Sequence, residues 1–302
     1  MLAGLHVAAQ SILSTLGELP DSVTIHLFSA DLAKTDADLL RRTLDRSAKP
    51  YSLHLHKIDG TRFTGFPELQ ASFATYFRLV VPEVLEVERF LYIDADTLCR
   101  TDLRPLYGAD LDGHPIGLVP EAPIHQSADP LVARLLGERA QGNYYNAGVM
   151  LVDAIAWRRG GLTTRCLEFI QEHQPRYHDQ SALNFVLHGA IHPLPAQYNC
   201  RTNARENWPA LIPPISGVGK LLHFVDFPKP WSLLGRGFHP LGKLWAGEWS
   251  KTADFISSGS MPDRPVLSLI ENRHKYLQTL KDKVLFDLLS TGLITRVKGM
   301  IQ

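Results

Sequence analysis

Two aspartates separated by a single residue follow a run of apolar and aromatic residues, and their spacing indicates a site for positive charge. The run follows Arg89 in the segment 89–93 and is followed by Asp94, Ala95 and Asp96. We expect the run to be a buried strand, because it is apolar on both faces. Residues i and i+2 of a strand point the same way, so the carboxylates would converge. Neighbouring carboxylates repel unless a cation lies between them, and a hard divalent ion prefers oxygen ligands.

The Asp94–Asp96 motif has a structural alternative. Asp94 could cap the end of the strand, and Asp96 could belong to the turn that follows. Short motifs occur often by chance, so the rest of the chain must decide between the two interpretations.

A second pair of residues that could bind metal lies in the predicted strand 52–58. His54 and His56 share one face of this strand, since they are two residues apart. No carboxylate follows close by, which favours a polar strand face over a metal site.

The composition is that of an ordinary globular enzyme, with 302 residues, 45% of them hydrophobic and 21% charged. Lys plus Arg and Asp plus Glu are equal at 31 each, so no overall positive charge is available to hold nucleic acid.

The three cysteines (Cys99, Cys166 and Cys200) are far apart and indicate reduced thiols. With no apolar run of membrane-spanning length and no signal-peptide pattern, the sequence predicts a cytoplasmic location. It carries no signal for an oligomeric state.

Strands alternate with helices along the chain. The predicted helices cover 1–19, 35–48, 71–85, 162–173, 177–188 and 241–257. The predicted strands cover 23–28, 52–58, 89–93, 115–119, 144–153, 191–194 and 220–225, and 195–217 reads as a long loop. This alternation predicts an α/β fold with a mainly parallel sheet flanked by helices. We place a catalytic domain at 1–257 and a helical C-terminal tail at 258–302.

Four separated segments together resemble glycosyltransferase family 8, which includes bacterial lipooligosaccharide galactosyltransferases and glycogenin. Their order and spacing are more specific than any one of them. The segments are TYFRL (75–79), LYIDADTL (91–98), YYNAGVMLVD (144–153) with YHDQSALN (177–184), and HFVDFPKPW (223–231). The resemblance implies a GT-A-type, Rossmann-like fold and transfer of a hexose from a UDP-sugar with retention of configuration. It also implies Mn²⁺, or Mg²⁺ as an alternative, on the diphosphate.

The resemblance also implies roles for residues around the diphosphate. Asp94, Asp96 and His223 would be the metal ligands, and Lys229 would bind the diphosphate. Arg78 would orient the aspartates and touch the donor.

For the sugar, the resemblance implies that Asp179 holds hydroxyl groups and that Gln180 lies beneath the anomeric carbon. Asp179 is also placed to be the N-cap of the helix 177–188. The remaining donor-binding residues implied in this way are Ala95, Glu121, Asn146, Ala147 and Gly148.

Retention of configuration needs either a covalent glycosyl intermediate or attack on the face that the phosphate leaves. A covalent route needs a carboxylate within about 3 Å of the anomeric carbon, as in a retaining glycosidase. Gln180 is a poor nucleophile, so we expect front-face attack with the leaving phosphate as the base.

The sequence departs from the family pattern in two places. Family members open with a strand that carries an Ala-Asp-type motif, whereas this sequence starts at what matches the following helix. We therefore expect the natural protein to have roughly 10–20 further upstream residues, and a true truncation with impaired donor binding is the alternative. Asp226 stands where the family usually has Gly, and an inward carboxylate there would repel phosphate.

The acceptor is expected to be a glycan or a glycolipid such as lipopolysaccharide. The segment 266–302 is basic and amphipathic, so it either contacts an anionic membrane at the inner face of the cell or packs on the catalytic domain. Two other functions stay open at this point. One is a non-catalytic family member that only binds nucleotide-sugar or a partner. The other, more remote, is a haloacid-dehalogenase-like phosphatase, because 91–98 also fits its aspartate motif.

Overall fold

The computed structural model describes residues 2–18, 22–31, 33–68, 72–127, 129–202, 218–225, 228–232, 235, 239 and 241–252. Its α-helices are α1 (Leu2–Thr15), α2 (Lys34–Leu44), α3 (Phe77–Val84), α4 (Arg104–Tyr107), α5 (Pro130–Leu136), α6 (Ala154–Arg159), α7 (Leu162–His173), α8 (His178–Val186) and α9 (Gly242–Trp249). Its strands are β1 (Val23–Ser29), β2 (Tyr51–Lys57), β3 (Arg89–Ile93), β4 (Thr97–Cys99), β5 (Ile116–Pro123), β6 (Asn143–Asp153), β7 (Ile191–Pro193), β8 (Cys200–Thr202) and β9 (Leu221–Phe224).

The strands form three sheets, in the orders β3-β6-β5-β7, β4-β9-β8 and β1-β2. Parallel pairs join β1 to β2, β5 to β7 and β8 to β9. Antiparallel pairs join β3 to β6, β5 to β6 and β4 to β9. The predicted α/β class is therefore confirmed, but a mainly parallel sheet is wrong, because the sheets are mixed. Hydrophobic patterning reports which faces are buried and carries no information on strand direction.

Strand β3 is less buried than predicted. Each of its residues is half-buried, because β6 is the one strand that pairs with β3 in the described part of the chain. Among the described residues, no strand pairs with the second edge of β3 or of β1.

Other local predictions also differ from the structure. The predicted loop 195–217 contains β8, which pairs with β9, although 203–217 lie outside the described residues. The N-cap of α8 is Tyr177 and not Asp179, which lies in the first turn and whose side chain makes tertiary contacts.

Both Asp226 and the predicted tail 258–302 lie outside the described residues. No described helix has the length and hydropathy needed to cross a membrane.

Helix α1 packs directly against the turn that carries the aspartate motif. A Cβ atom on Gly4 would lie 2.7 Å from the carbonyl oxygen of Ala95 and 3.1 Å from the Trp231 ring. Trp231 is buried and packs against Trp245. The absence of a side chain at Gly4 lets the helix support this turn at close range.

Helix α1 also contains a buried histidine, which predicts acid sensitivity. The Nδ1 of His6 lies 2.7 Å from the hydroxyl of Thr43 on α2, and burial lowers the His6 pKa to about 4. The unfolded chain therefore binds a proton between about pH 6.5 and 4 that the folded chain does not, so stability falls as the pH falls through this window. Between pH 7 and pH 4.5, we expect the free energy of unfolding of the wild type to fall by about 2 kcal/mol more than that of the His6→Gln variant.

Urea denaturation at the two pH values measures this difference. His125→Gln, at an exposed position, is the control and should lose as much stability as the wild type. Equal losses for His6→Gln and the wild type would contradict the assignment.

Candidate active site

The two aspartates of the motif lie in the turn between β3 and β4, so the strand periodicity assumed from the sequence does not apply to them. They converge nevertheless on His223 of β9, because the pairing of β4 with β9 places Thr97 opposite His223. The Nε2 of His223 lies 3.3 Å from Asp96 Oδ1 and 3.7 Å from Asp94 Oδ2. One ligand atom from each of the three residues lies within 4.8 Å of the others.

The orientation of His223 is set by Asn199, a residue that the sequence analysis missed. The Nδ1 of His223 lies 2.9 Å from the Asn199 amide oxygen. An amide oxygen only accepts hydrogen bonds, so Nδ1 carries the proton and the lone pair on Nε2 faces the two carboxylates. Two carboxylates and an imidazole lone pair form a donor set that suits a divalent cation.

The backbone of β6 closes around this donor set at Gly148. A Cβ atom there would overlap His223 Cε1 and would lie 3.0 Å from Asp94 Oδ2. Gly148 therefore leaves the space that the three side chains need to converge on a small ion. On both chemistry and shape, the residues present fit a divalent cation.

Removing the Asn199 amide should weaken metal binding. We expect Asn199→Ala to lower Mn²⁺ affinity by about 10–100-fold, because the imidazole loses its orienting partner. Isothermal titration of Mn²⁺ into wild type and variant measures the change. The control is Asn143→Ala, at an exposed position at the start of β6, which should bind Mn²⁺ like the wild type. An unchanged affinity in Asn199→Ala would show that Asn199 does not orient the ligand.

Arg78 lies buried between two carboxylates. Its Nη2 is 2.8 Å from Asp94 Oδ1, and its Nε is 3.0 Å from Asp179 Oδ2. It also donates to the carbonyl oxygen of Ala147, while Asp179 accepts from the hydroxyl of Thr75. Burial raises the pKa of Asp179, and the charge of Arg78 and the Thr75 hydrogen bond act against this rise. Arg78 thus ties the aspartate motif to the first turn of α8.

Asp96 has a positive neighbour in Lys229. The Lys229 Nζ lies 2.7 Å from Asp96 Oδ2 and also donates to the carbonyl oxygen of Phe224. Burial alone would raise the pKa of Asp96, but Lys229 and His223 outweigh it and hold this pKa well below its usual range. Asp96 is therefore ionised at neutral pH.

Gln180 is held at both ends of its amide. Its Oε1 accepts from Asn146 Nδ2 at 3.0 Å and from the backbone N–H of Ala147 at 3.1 Å. Its Nε2 donates to Glu121 Oε2 at 3.3 Å, and Glu121 Oε1 lies 2.7 Å from Arg201 Nη1. The amide is therefore fixed by its surroundings before any ligand binds.

The site residues expected from the sequence meet in and around one cleft. The cleft is lined by Arg78, Asp94, Asn146, Gly148, Asp179, Gln180 and His223. Glu121, Ala147 and Lys229 adjoin these through hydrogen bonds and ion pairs, whereas the carbonyl of Ala95 points towards α1.

The cleft has further wall residues that the sequence analysis did not assign, namely Thr75, Tyr177 and His178. Thr75 lies within the segment 75–79 that contributes to the family resemblance, and this motif is the sequence signal that could have identified it. His178 has a positive φ of 43°, and a linear sequence carries no signal for such strain in a histidine. Arg201, which also received no role in the sequence analysis, pairs with Glu121.

Comparison with known proteins gives a consistent family and fold. The family profile described as Glycosyl transferase family 8 matches residues 2–235. The chain is 27% identical to General stress protein A of Bacillus subtilis (strain 168), over 53% of this chain and 59% of that protein. It is 29% identical to the lipopolysaccharide 1,2-glucosyltransferase of Escherichia coli (strain K12), over 59% of this chain and 55% of that protein. It therefore spans little more than half the length of these two relatives.

A solved structure supports the same fold. The galactosyltransferase LgtC, in complex with donor and acceptor sugar analogs, matches with a TM-score of 0.67 at 20% identity, over 82% of this chain and 91% of that chain. At this level of identity, the similarity establishes the shared fold alone.

Proposed function

Because the chain belongs to glycosyltransferase family 8 and has the GT-A fold, we propose that it is a retaining hexosyltransferase. It moves galactose or glucose from a UDP-sugar to a glycan or glycolipid acceptor. The observation that carries the proposal is the convergence of Asp94, Asp96 and His223 on one point, from a turn and a strand that are far apart in the sequence. Mn²⁺ is the proposed ion, with Mg²⁺ as the alternative.

The proposed chemistry is neutralisation of the leaving group. UDP develops negative charge on its β-phosphate as it departs, and a bound divalent cation would supply the main compensating charge. Asp94, Asp96 and His223 would hold that cation, and Lys229 brings a further positive charge beside Asp96. Arg78 keeps Asp94 in place through its buried ion pair.

Retention is proposed to proceed by front-face attack, as the sequence favours. A covalent route would need a free carboxylate beneath the sugar. Asp179 is engaged by Thr75 and Arg78, and Glu121 is engaged by Arg201 and Gln180. Gln180 itself is a neutral amide. The contacts of these carboxylates support a route in which the leaving phosphate accepts the proton of the acceptor hydroxyl.

A lipopolysaccharide or related glycolipid is the proposed acceptor class. Its support is the similarity to a protein named as a lipopolysaccharide glucosyltransferase and to one named as a galactosyltransferase. The proposed cytoplasmic location and the membrane contact through 266–302 stay predictions, since that segment lies outside the described residues.

The test is UDP release by the full chain from UDP-galactose and UDP-glucose, with and without Mn²⁺ and with oligosaccharide acceptors. We expect release that needs the metal, is abolished by a chelator, and gives an α-linked product by NMR. A β-linked product would contradict retention. Nucleotide binding without release from any UDP-hexose would favour the non-catalytic alternative. Family membership itself sets the phosphatase alternative aside.

A further inference from the structure

Three histidines lie together on the sheet formed by β1 and β2, apart from the active-site cleft. The parallel register places His26 opposite His54, and His56 follows two residues later on the same face. His26 Nδ1 lies 2.9 Å from His56 Nε2. The ring centroid of His26 is 5.1 Å from that of His54 and 5.1 Å from that of His56.

We propose that His26, His54 and His56 form a second metal site, which takes imidazole-preferring transition ions such as Zn²⁺, Ni²⁺ or Cu²⁺. The sequence alone favoured a polar strand face, because it showed only His54 and His56. The register of the two strands adds His26, which makes three imidazoles on one face. Imidazole nitrogen suits these ions, whereas Mg²⁺ and Mn²⁺ prefer carboxylate and water oxygens.

The sheet geometry brings the facing nitrogens of His26 and His56 close to the separation that a metal needs. Two nitrogens bound to a tetrahedral Zn²⁺ at about 2.0–2.1 Å lie about 3.4 Å apart, so His26 and His56 need to separate by only about half an ångström. The ring of His54 stacks on that of His26 and must turn to bring a nitrogen to the same point, and its exposed position leaves space for this movement. The backbones are fixed by the strand pairing, which keeps the three Cβ positions in place.

The protonation of the cluster also favours a metal. Burial lowers the pKa of both His26 and His56, and the charges of neighbouring imidazoles lower both further. Both rings are therefore neutral at pH 7, and each has one N–H and one lone pair. The two facing nitrogens share a hydrogen between them. A tautomer change in one ring moves that hydrogen to its far nitrogen, and both facing lone pairs then become ligands.

A bound ion would join two strands that have no other strand partners in the described part of the chain. The sheet of β1 and β2 contains only this pair, and the face opposite the histidines, which includes Ile25 and Leu27, packs on the core. An ion on the histidine face would therefore link β1 to β2 from the outside. Binding to the folded state alone should raise the midpoint of thermal unfolding.

The test is isothermal titration of Ni²⁺ into tag-free full-length protein in the presence of excess Mg²⁺. Ni²⁺ can also bind His223 beside Asp94 and Asp96, where Mg²⁺ competes only weakly, so the cluster is judged by the difference between the wild type and the histidine variants. We expect the wild type to bind one equivalent of Ni²⁺ that depends on the cluster, and the affinity of that equivalent to fall at least about tenfold in His56→Ala and in His26→Ala. His125→Ala, an exposed histidine elsewhere on the surface, should bind Ni²⁺ like the wild type.

His54→Ala changes only an exposed side chain, so it provides a variant that should fold if either of the others does not. It should also weaken Ni²⁺ binding and should reduce the Ni²⁺-induced rise in the unfolding midpoint. Wild-type affinity in all folded histidine variants of the cluster, or no Ni²⁺ bound to the wild type, would overturn the proposal. Neither outcome bears on the hexosyltransferase proposal, because Mn²⁺-dependent UDP release is measured separately.

Discussion

Replacing Asp96 by Asn should reduce hexosyl transfer by about 10²–10³-fold while the protein stays folded. Asparagine has nearly the same shape but removes the charge that faces His223 Nε2 and Lys229 Nζ. The variant therefore loses a proposed metal ligand, and with it the compensation of negative charge on the leaving phosphate. The rate of UDP release at saturating UDP-sugar and Mn²⁺ measures the effect.

Asp38→Asn is the matched control for Asp96→Asn. Asp38 is an exposed aspartate on α2 that pairs only with Arg41 among the contacts described, and its replacement should leave the rate unchanged. Circular dichroism and the unfolding midpoint show whether each variant is folded. A folded Asp96→Asn protein with wild-type turnover would mean that Asp96 is not part of the metal site.

Replacing Arg78 by Met should lower the free energy of unfolding by about 3–5 kcal/mol, the largest stability effect that we expect in the described chain. Arg78 is buried and lies within ion-pair distance of both Asp94 and Asp179. Methionine fills part of the space but leaves two carboxylates without their cation. Urea denaturation at pH 7 measures the loss.

The same variant has a pH signature. Without Arg78, the pKa of Asp179 in the folded chain, which burial already raises, should rise further above its value in the unfolded chain. The folded variant then binds more protons than the unfolded one, so its stability falls as the pH rises through those values. The deficit relative to the wild type should therefore be larger at pH 8 than at pH 5.

Arg41→Met is the control for Arg78→Met, because Arg41 is exposed and pairs with Asp38 at the surface. It should change the unfolding free energy by less than about 0.5 kcal/mol at either pH. A deficit in Arg78→Met that is similarly small, or that grows as the pH falls, would contradict the role assigned to the buried ion pairs.

Local patterns in the sequence were sufficient for much of the fold. Helix α7 begins and ends at the predicted residues, and β1, β2, β3 and β9 lie within about two residues of their predictions. These segments have a strong hydrophobic period or clear turn residues at their ends. Strand direction was not predictable in this way, so the mixed sheets were missed.

The part of the site that lies in motifs was also predictable, whereas its supporting contacts were not. Asp94, Asp96 and His223 meet because β4 and β9 pair, which the motifs imply only through the family resemblance. Asn199 and Arg201 come from a segment that reads as loop, and their partners are 24 and 80 positions away. Such contacts depend on how separate elements pack, and no local pattern encodes them.

Asp179 shows how a residue suited to local capping can be used elsewhere. An aspartate near the start of a helix favours the N-cap. The side chain of Asp179 instead pairs with the buried Arg78 and accepts a hydrogen bond from the Thr75 hydroxyl. The tertiary ion pair replaces the local hydrogen bond that the sequence predicts.

In the proposed function, Asp94, Asp96 and His223 hold a divalent cation that in turn holds a nucleotide diphosphate. The most direct test is the unfolding midpoint of the full chain with UDP alone, with Mn²⁺ alone, and with both. At ligand concentrations about 100-fold above the dissociation constant, we expect a rise of about 5 °C that requires both ligands and is lost in Asp96→Asn. An equal rise with UDP alone, or no rise with both ligands in a protein that unfolds cooperatively, would contradict the claim.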